Sequence, residues 1–473
     1  MSSNSEAIWR HVEAKQEEAI ALSDRVWGMP ELAYAETRSA AEHTAYLKAE
    51  GFRVTENLAE IPTAMMGEAG EEGPVIAILG EFDALPGLSN EAGVTEHRPI
   101  PGDGNGHGCG HNLLGAASLL AATAVKDWLA ANGLKGRVRY YGCPAEEGGA
   151  AKGFMARAGL FDDVDIAISW HPSSFAGVNE PLSLANTRID FTFHGRASHA
   201  AASPHLGRSA LDAVELMSVG VNYLREHIPQ ESRIHYAYLD AGGVAPNVVQ
   251  AKAKVRYLIR AADVASLNKL VERVRKIGDG AALMTETRVE TTVISAVSNL
   301  LGNDPLERLM QDNLDRLGPP PFDAEDRKRA AEFQATLSEE DIASAFRKVG
   351  LPRTDAPLTD RIVPLDSKRA PMVGSTDVGD VSWVVPTVQA RGATHAIGTP
   401  LHSWQATAQG KLPHAHKGLV HVAKVMAGTA VDLIQRPDVI AAAKADHKER
   451  SGGTYVSPLP ADAKPAIGMS LAV

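Results

Sequence analysis

The chain has 473 residues, with 47 lysines and arginines against 58 aspartates and glutamates, a formal charge of −11. That balance argues against a nucleic-acid surface, although a local basic pocket can still sit on an acidic protein. At this length one ordinary core does not suffice, so two domains, interleaved or in series, are expected.

The apolar fraction of 44% is ordinary for a globular chain, and no apolar run reads as long enough to cross a bilayer. The opening Met1-Ser2-Ser3-Asn4-Ser5-Glu6 lacks the basic and apolar regions of a signal peptide. A cytoplasmic protein with no membrane partner is therefore expected. Only two cysteines occur, Cys109 and Cys143, both inside candidate site motifs. A disulfide framework is not expected, and a reducing compartment fits a cysteine used as a ligand.

In chain order, residues 6–27 carry helical spacing. Residues 74–79 form a short apolar run that reads as a buried strand delivering Glu81-Phe82-Asp83 at its carboxyl end. His111 opens a helical pattern that runs to Leu129 and is stopped by Asn132-Gly133. Residues 138–141 and 164–168 read as two further strands, the first running into Glu146-Glu147 and the second into His171. Polar clusters after strand-like runs are where open α/β sheets place their sites. In the middle, residues 188–194 alternate, 211–224 look helical, 252–260 alternate again, 269–284 look helical, and 289–293 read as a strand.

This predicts an α/β fold: an open mixed sheet with helices on both faces, interrupted by a small α+β domain of β-α-β-β-α-β order. The expected division is 1–186 and 298–473 for the catalytic domain, with 187–297 as an inserted lid. Residues 318–372 look like an irregular surface insertion holding one helix around 339–348, and the last twenty residues look like a polar tail.

The chemistry lies in four motifs: His107-Gly108-Cys109-Gly110-His111, Pro144-Ala145-Glu146-Glu147, Ser169-Trp170-His171 and Pro400-Leu401-His402. Sulfur, imidazole and carboxylate together suit borderline divalent ions such as zinc, or manganese where carboxylates dominate. Such an ion acidifies water, and a neighbouring free carboxylate can take the proton. Each residue has a plainer reading. Cysteine alone is more often buried packing, paired glutamates a solvated face, and His107 a satisfied core histidine or a donor supporting a ligand. Asp377, after Gly374-Ser375-Thr376, could simply cap a helix.

The motifs resemble those of the dinuclear metallohydrolase family that includes aminoacylases, carboxypeptidase-G-type enzymes and auxin-conjugate amidohydrolases. The resemblance runs from about Pro30 to about Leu433. It implies two divalent ions per chain, manganese or zinc, with Cys109 bridging. His111 and His171 would then hold one ion, Glu147 and His402 the other. Glu146 would be the general base, with Asp83, His107 and Asp377 in support.

In the lid, the resemblance makes His199 a residue that reaches a partner subunit's site and stabilises the oxyanion, Asn247 a substrate contact, and Arg260 a carboxylate clamp. It implies a homodimer formed through the lid, with a paralogous second subunit also possible. Many relatives place His-x-Asp where this chain has Glu81-Phe82-Asp83. Either His111 supplies the missing imidazole, which ligand type favours, or Glu81 is itself a ligand. The implied activity is hydrolysis of an N-acyl bond to an amino acid. Its leading substrate is p-aminobenzoyl-glutamate, and auxin-aspartate conjugates and dipeptides are the rivals. A non-catalytic metal-binding subunit would be expected to lack Glu146.

Overall fold

The computed structural model describes residues 3–368 and 374–468. Its strands, in chain order, are β1 (Arg53–Glu56), β2 (Met65–Glu71), β3 (Val75–Glu81), β4 (Gly136–Cys143), β5 (Ile166–Ser173), β6 (Gly177–Val178), β7 (Ala185–His194), β8 (Arg233–Asp240), β9 (Lys252–Ala261), β10 (Arg288–Val297) and β11 (Thr387–Ala393). They form two sheets. The first has seven strands in the order β1-β2-β4-β3-β5-β11-β6, and the second four in the order β10-β7-β9-β8.

The seven-stranded sheet is mixed. β3 runs parallel to β4 and β5, and β5 parallel to β11, while β1, β2 and β6 are antiparallel additions at the edges. β3 is buried along its whole length, as a parallel central strand covered on both faces should be. One face packs on the helices Ser3–Trp27, His111–Asn132 and Pro413–Gln435, where Leu113, Leu120 and Met426 meet Ile76, Ile78 and Val138. The other face packs on Ala151–Arg157 and Val378–Val384 through Leu79, Tyr141, Phe154 and Val381.

The helix His111–Asn132 corrects one expectation. By length and composition it could cross a membrane, but 83% of its apolar window is buried inside the protein. Its carboxyl end is capped by Gly133 in the left-handed conformation (φ 60°), at the stop the sequence marks.

The four-stranded sheet is antiparallel throughout. The helices Ala210–Leu224 and Val264–Thr285 cover one of its faces, with Phe191, Val255, Tyr257, Met217 and Val274 between them. The strand β8 completes the β-α-β-β-α-β order. Its alternation is too weak to read, because it is an exposed edge strand with only Ile234 buried.

Two stretches are more ordered than the sequence suggests. The segment 318–368 carries a second helix, Ala324–Gln334, besides Glu339–Val349, and buries Phe322, Phe333 and Leu358 in a small core shared with Ala176, Ala393, Ala396 and Ala408. Residues 369–372 of that stretch lie outside the described residues. The last segment is no free tail up to residue 468. Leu459 and Ala466 are buried, Arg157 donates to the Pro460 and Ala463 carbonyls, and the Tyr455 hydroxyl donates to Asp380 at 2.8 Å.

Candidate metal centre

Parallel strands β3, β4 and β5 end side by side, and the loops leaving them carry the candidate ligands. β3 ends in Glu81 and leads to Asp83. β4 leads through Ala145, in left-handed backbone (φ 57°), to Glu146 and Glu147. The Ala145 N–H donates to Glu36 at 2.8 Å, which holds that turn. His171 lies inside β5 near its end rather than beyond it. Cys109 and His111 sit at the start of the helix His111–Asn132, and His402 arrives on a left-handed residue (φ 60°) whose N–H donates to Gly108 O at 2.8 Å.

Five residues expected as ligands converge. Potential ligand atoms of Cys109, His111 and His171 all lie within 4.8 Å of one another, and so do those of Cys109, Glu147 and His402. The thiol is common to both triplets. Cys109 Sγ lies 3.5 Å from His171 Nε2, and Glu147 Oε1 lies 3.3 Å from His402 Nε2. Asp83 organises the pair from behind. One of its oxygens bonds His111 Nδ1 at 2.9 Å and the other accepts the Glu147 N–H at 2.9 Å. That leaves His111 Nε2 aimed into the cluster, as carboxylate support does for metal-binding histidines.

The donor set fits divalent ions on two further counts. His111 Nε2, Glu147 Oε1 and Glu81 Oε2 are buried without hydrogen bonds, and buried polar atoms without partners are rare. Burial, followed by the charge of Glu147, holds the Cys109 thiol well above its ordinary value, so the thiolate is disfavoured unless a cation joins it.

The glutamate pair is electrostatically split. Burial, then the charges of Glu81, Glu147 and Asp377, push Glu146 well above the usual carboxylate range. Burial also pushes Glu147 up, but the His402 imidazole 3.3 Å away and the charge of His111 outweigh it and hold Glu147 low. Neighbouring carboxyls driven apart in this way suit one group that moves protons and one that stays ionised.

Other expected residues land differently. His107 stays out of the cluster. Its Nε2 contacts the Val26 carbonyl at 3.0 Å, and burial lowers its pKa to about 4, so it is a core histidine beneath the loop. Asp377 stands at the start of Val378–Val384 but makes no cap bond. Its carboxylate instead receives Lys152 Nζ at 2.6 Å and the Lys152 N–H at 3.0 Å. Lys152 Nζ also reaches Glu81 Oε1 at 2.7 Å. Glu81 therefore has one oxygen on the lysine and the other 3.3 Å from His111 Nε2.

Sequence reading passed over Lys152. The lone lysine in the otherwise apolar, buried start of the helix Ala151–Arg157 was the available signal.

The lid residues divide. Arg260 Nη1 donates to Ser375 Oγ at 2.6 Å, so it reaches the seven-stranded part of its own chain. His199 and Asn247 sit on adjacent loops, joined where the Ala200 N–H donates to the Asn247 carbonyl at 2.9 Å, and His199 belongs to none of the candidate ligand groups. Both are exposed, and His199 Nδ1 accepts the Ala201 and Ala202 N–H groups.

Residues 77–317 match peptidase family M20/M25/M40. A curated relative, one of the subunits of the p-aminobenzoyl-glutamate hydrolase of Escherichia coli, is 43% identical over 96% of this chain and 97% of its own length. The chain belongs to this family. It is a hydrolase of amide bonds, with a candidate centre of the dinuclear kind that the family is built around. Another subunit of the same Escherichia coli hydrolase is 31% identical, covering 49% of this chain and 54% of its own. A Bacillus subtilis structure described as a dinuclear metal binding peptidase of the M20 family shares the fold, with a TM-score of 0.55 at 18% identity over 89% of this chain and 99% of that one.

Proposed function

We propose that the chain hydrolyses p-aminobenzoyl-glutamate to p-aminobenzoate and glutamate, using two divalent ions. The observation that carries the reading is the pair of ligand triplets meeting at Cys109, beside Glu146, which belongs to neither and lies instead with Glu81 and His111. The 43% identity to a subunit of a hydrolase of that name supports the substrate. Cys109, His111 and His171 would hold one ion, and Cys109, Glu147 and His402 the other. Zinc and manganese both suit one thiolate, three imidazoles and a carboxylate. When bound, the ions supply Lewis acidity to the attacking water and the scissile carbonyl.

The chain's own residues do the rest. Glu146 takes a proton from the attacking water and returns it to the leaving nitrogen as the amide C–N bond breaks. Burial and the neighbouring carboxylates, which raise its pKa, favour a group that can hold the proton between the two steps. Asp83 fixes the tautomer of His111 and the backbone of Glu147. Lys152 holds Glu81 and Asp377 against the cluster, balancing two buried negative charges. Arg260 receives the substrate carboxylate.

His199 stabilises the oxyanion in a partner chain, with Asn247 beside it. The partner is a second copy docked through the lid, residues 187–297. Support comes from Leu216, Val219 and Tyr223, which form an exposed apolar stripe on Ala210–Leu224, and from Tyr236 and Tyr238 on the open edge strand β8. A paralogous subunit is an alternative partner, since the curated relative is itself one subunit of a pair. A thiolate ligand suits a reducing compartment, the cytoplasm.

The test is release of p-aminobenzoate by purified protein stripped of metal and reloaded with zinc or manganese. Activity that returns with metal supports the reading. Full activity in the stripped protein contradicts it.

A further inference from the structure

The face of the four-stranded sheet that its helices leave uncovered is cationic. Side chains two apart on a strand share a face, and the register sets Asn186 opposite Arg260, Arg188 opposite Leu258 and Asp190 opposite Arg256. Three arginines therefore stand together. Arg256 is occupied, donating twice to Asp190 at 2.6 and 3.0 Å. Arg260 donates to Ser375 Oγ.

Arg188 is different. It is half-buried, and no described residue accepts a hydrogen bond from its guanidinium or pairs with it. The head lies against the backbone of Gly148, the residue after the Glu146-Glu147 pair. A Cβ at Gly148 would meet Arg188 Nη1 at 2.1 Å, Cζ at 2.8 Å and Nη2 at 2.9 Å. Glycine at 148 is thus what makes room for it. Burial, with the charges of Arg256 and Arg260, lowers the Arg188 pKa, and Glu147 only partly offsets this.

A half-buried guanidinium with its donor fork unused is open to a ligand, and a carboxylate is the one whose geometry it matches. Arg260 is its diagonal neighbour on the same face. Such neighbours lie about 7–8 Å apart at the backbone, within reach of one another's long side chains. Two carboxylates joined by a short aliphatic chain could engage both heads at once.

We propose that Arg188 is a specificity-determining residue that binds a second carboxylate on the substrate's amino acid, while Arg260 holds the α-carboxylate. The enzyme then selects N-acyl derivatives of acidic amino acids over neutral ones. This rests on the N-acyl-amino acid reading given above. It differs from a role in which Arg188 merely offsets the charge of Glu147, because that role would not distinguish acidic from neutral substrates.

The experiment compares metal-loaded wild type, Arg188→Met and Arg188→Lys on p-aminobenzoyl-L-glutamate, -L-glutamine and -L-alanine. Metal content and thermal unfolding confirm that the variants fold. The wild type is expected to prefer glutamate over glutamine by roughly 100-fold in kcat/KM, as a site built around a charged hydrogen bond does. Arg188→Met should bring that ratio to within about tenfold of unity, chiefly through KM, and Arg188→Lys should fall between.

An unchanged ratio in Arg188→Met, or an equal loss on all three substrates, overturns the proposal. A wild type that cleaves all three equally overturns it while leaving the N-acyl reading intact. A wild type that cleaves none overturns that reading. Calorimetric binding of p-aminobenzoyl-L-glutamate then decides the part of Arg188, and equal affinity in wild type and Arg188→Met refutes it.

Discussion

Around Cys109, in the seven-stranded region, the charged groups are interlocked within one chain. Asp83 is shared by His111 and the Glu147 N–H, Lys152 lies between Glu81 and Asp377, and Glu147 faces His402. In the four-stranded region, His199 and Asn247 are exposed, and the guanidinium of Arg188 has no partner among the described residues. Burial explains the contrast. A charge taken out of water must be paired at folding, so the metal centre is assembled before any ligand arrives. A group that is to meet substrate or another chain has to remain unpaired, and can do so only where water still reaches it. If the proposed dimer forms, a single chain would carry one finished half of a site and one half that meets its complement in the partner.

Four perturbations sharpen that contrast. The largest effect is expected from Glu146→Gln, which should lower kcat by about 10³-fold or more while elemental analysis finds metal still bound. Near-normal turnover would make the glutamate pair a mere solvated face. Cys109→Ser comes next. Because both ligand triplets contain the thiol, it should reduce occupancy of both ions, whereas Glu147→Gln should affect one more than the other.

Lys152→Met leaves Glu81 and Asp377 buried without their cation and should cost about 3–5 kcal/mol in denaturant unfolding. In the lid, breaking the exposed pair of Arg208 and Glu286 by Arg208→Ala should cost about 1 kcal/mol or less. Equal costs in the two regions would remove the contrast.

A last effect concerns pH. Burial raises the Asp380 pKa to about 7, against hydrogen bonds from Tyr455 and Ser298 that lower it. The native state then holds a proton that the unfolded chain releases near pH 4. Between those values the native state binds more protons, so stability falls as pH rises toward 7 and levels off above it. Unfolding free energies of Asp380→Asn across pH 4–8 should lack that slope.

Much of the metal centre was legible in the sequence because it is local. Cys109 and His111 share one glycine-rich loop, Glu146 and Glu147 another, and each follows a strand or opens a helix with strong periodicity. β1, β2, β6 and β11 were not read as strands, whereas the central strands β3, β4 and β5 were legible for the same reason. Lys152 was not, since its partners Glu81 and Asp377 lie far away along the chain and meet it only once the sheet forms. Arg188 was hidden by its alternation, which marks a polar face without saying whether that face meets water or the site. The helix Ala324–Gln334 was missed because its composition is mostly polar, and its few core residues, Ala330 and Phe333, are too sparse to set a period. For His107 the sequence left a core histidine and a supporting donor open, since proximity to a ligand motif says nothing of which way a ring turns; its Nε2 faces the Val26 carbonyl.

The two halves of the site are expected to meet across chains, and subunit mixing tests this most directly. Glu146→Gln lacks the proton acceptor, and His199→Ala lacks the lid's contribution. Each variant alone should be inactive. After dissociation and reassociation, with exchange confirmed by the masses of tagged chains, heterodimers should carry one complete site. The mixture should then recover up to roughly a quarter of wild-type activity. No recovery despite proven exchange would place His199 in its own chain's site or outside catalysis altogether, and the divided site would be contradicted.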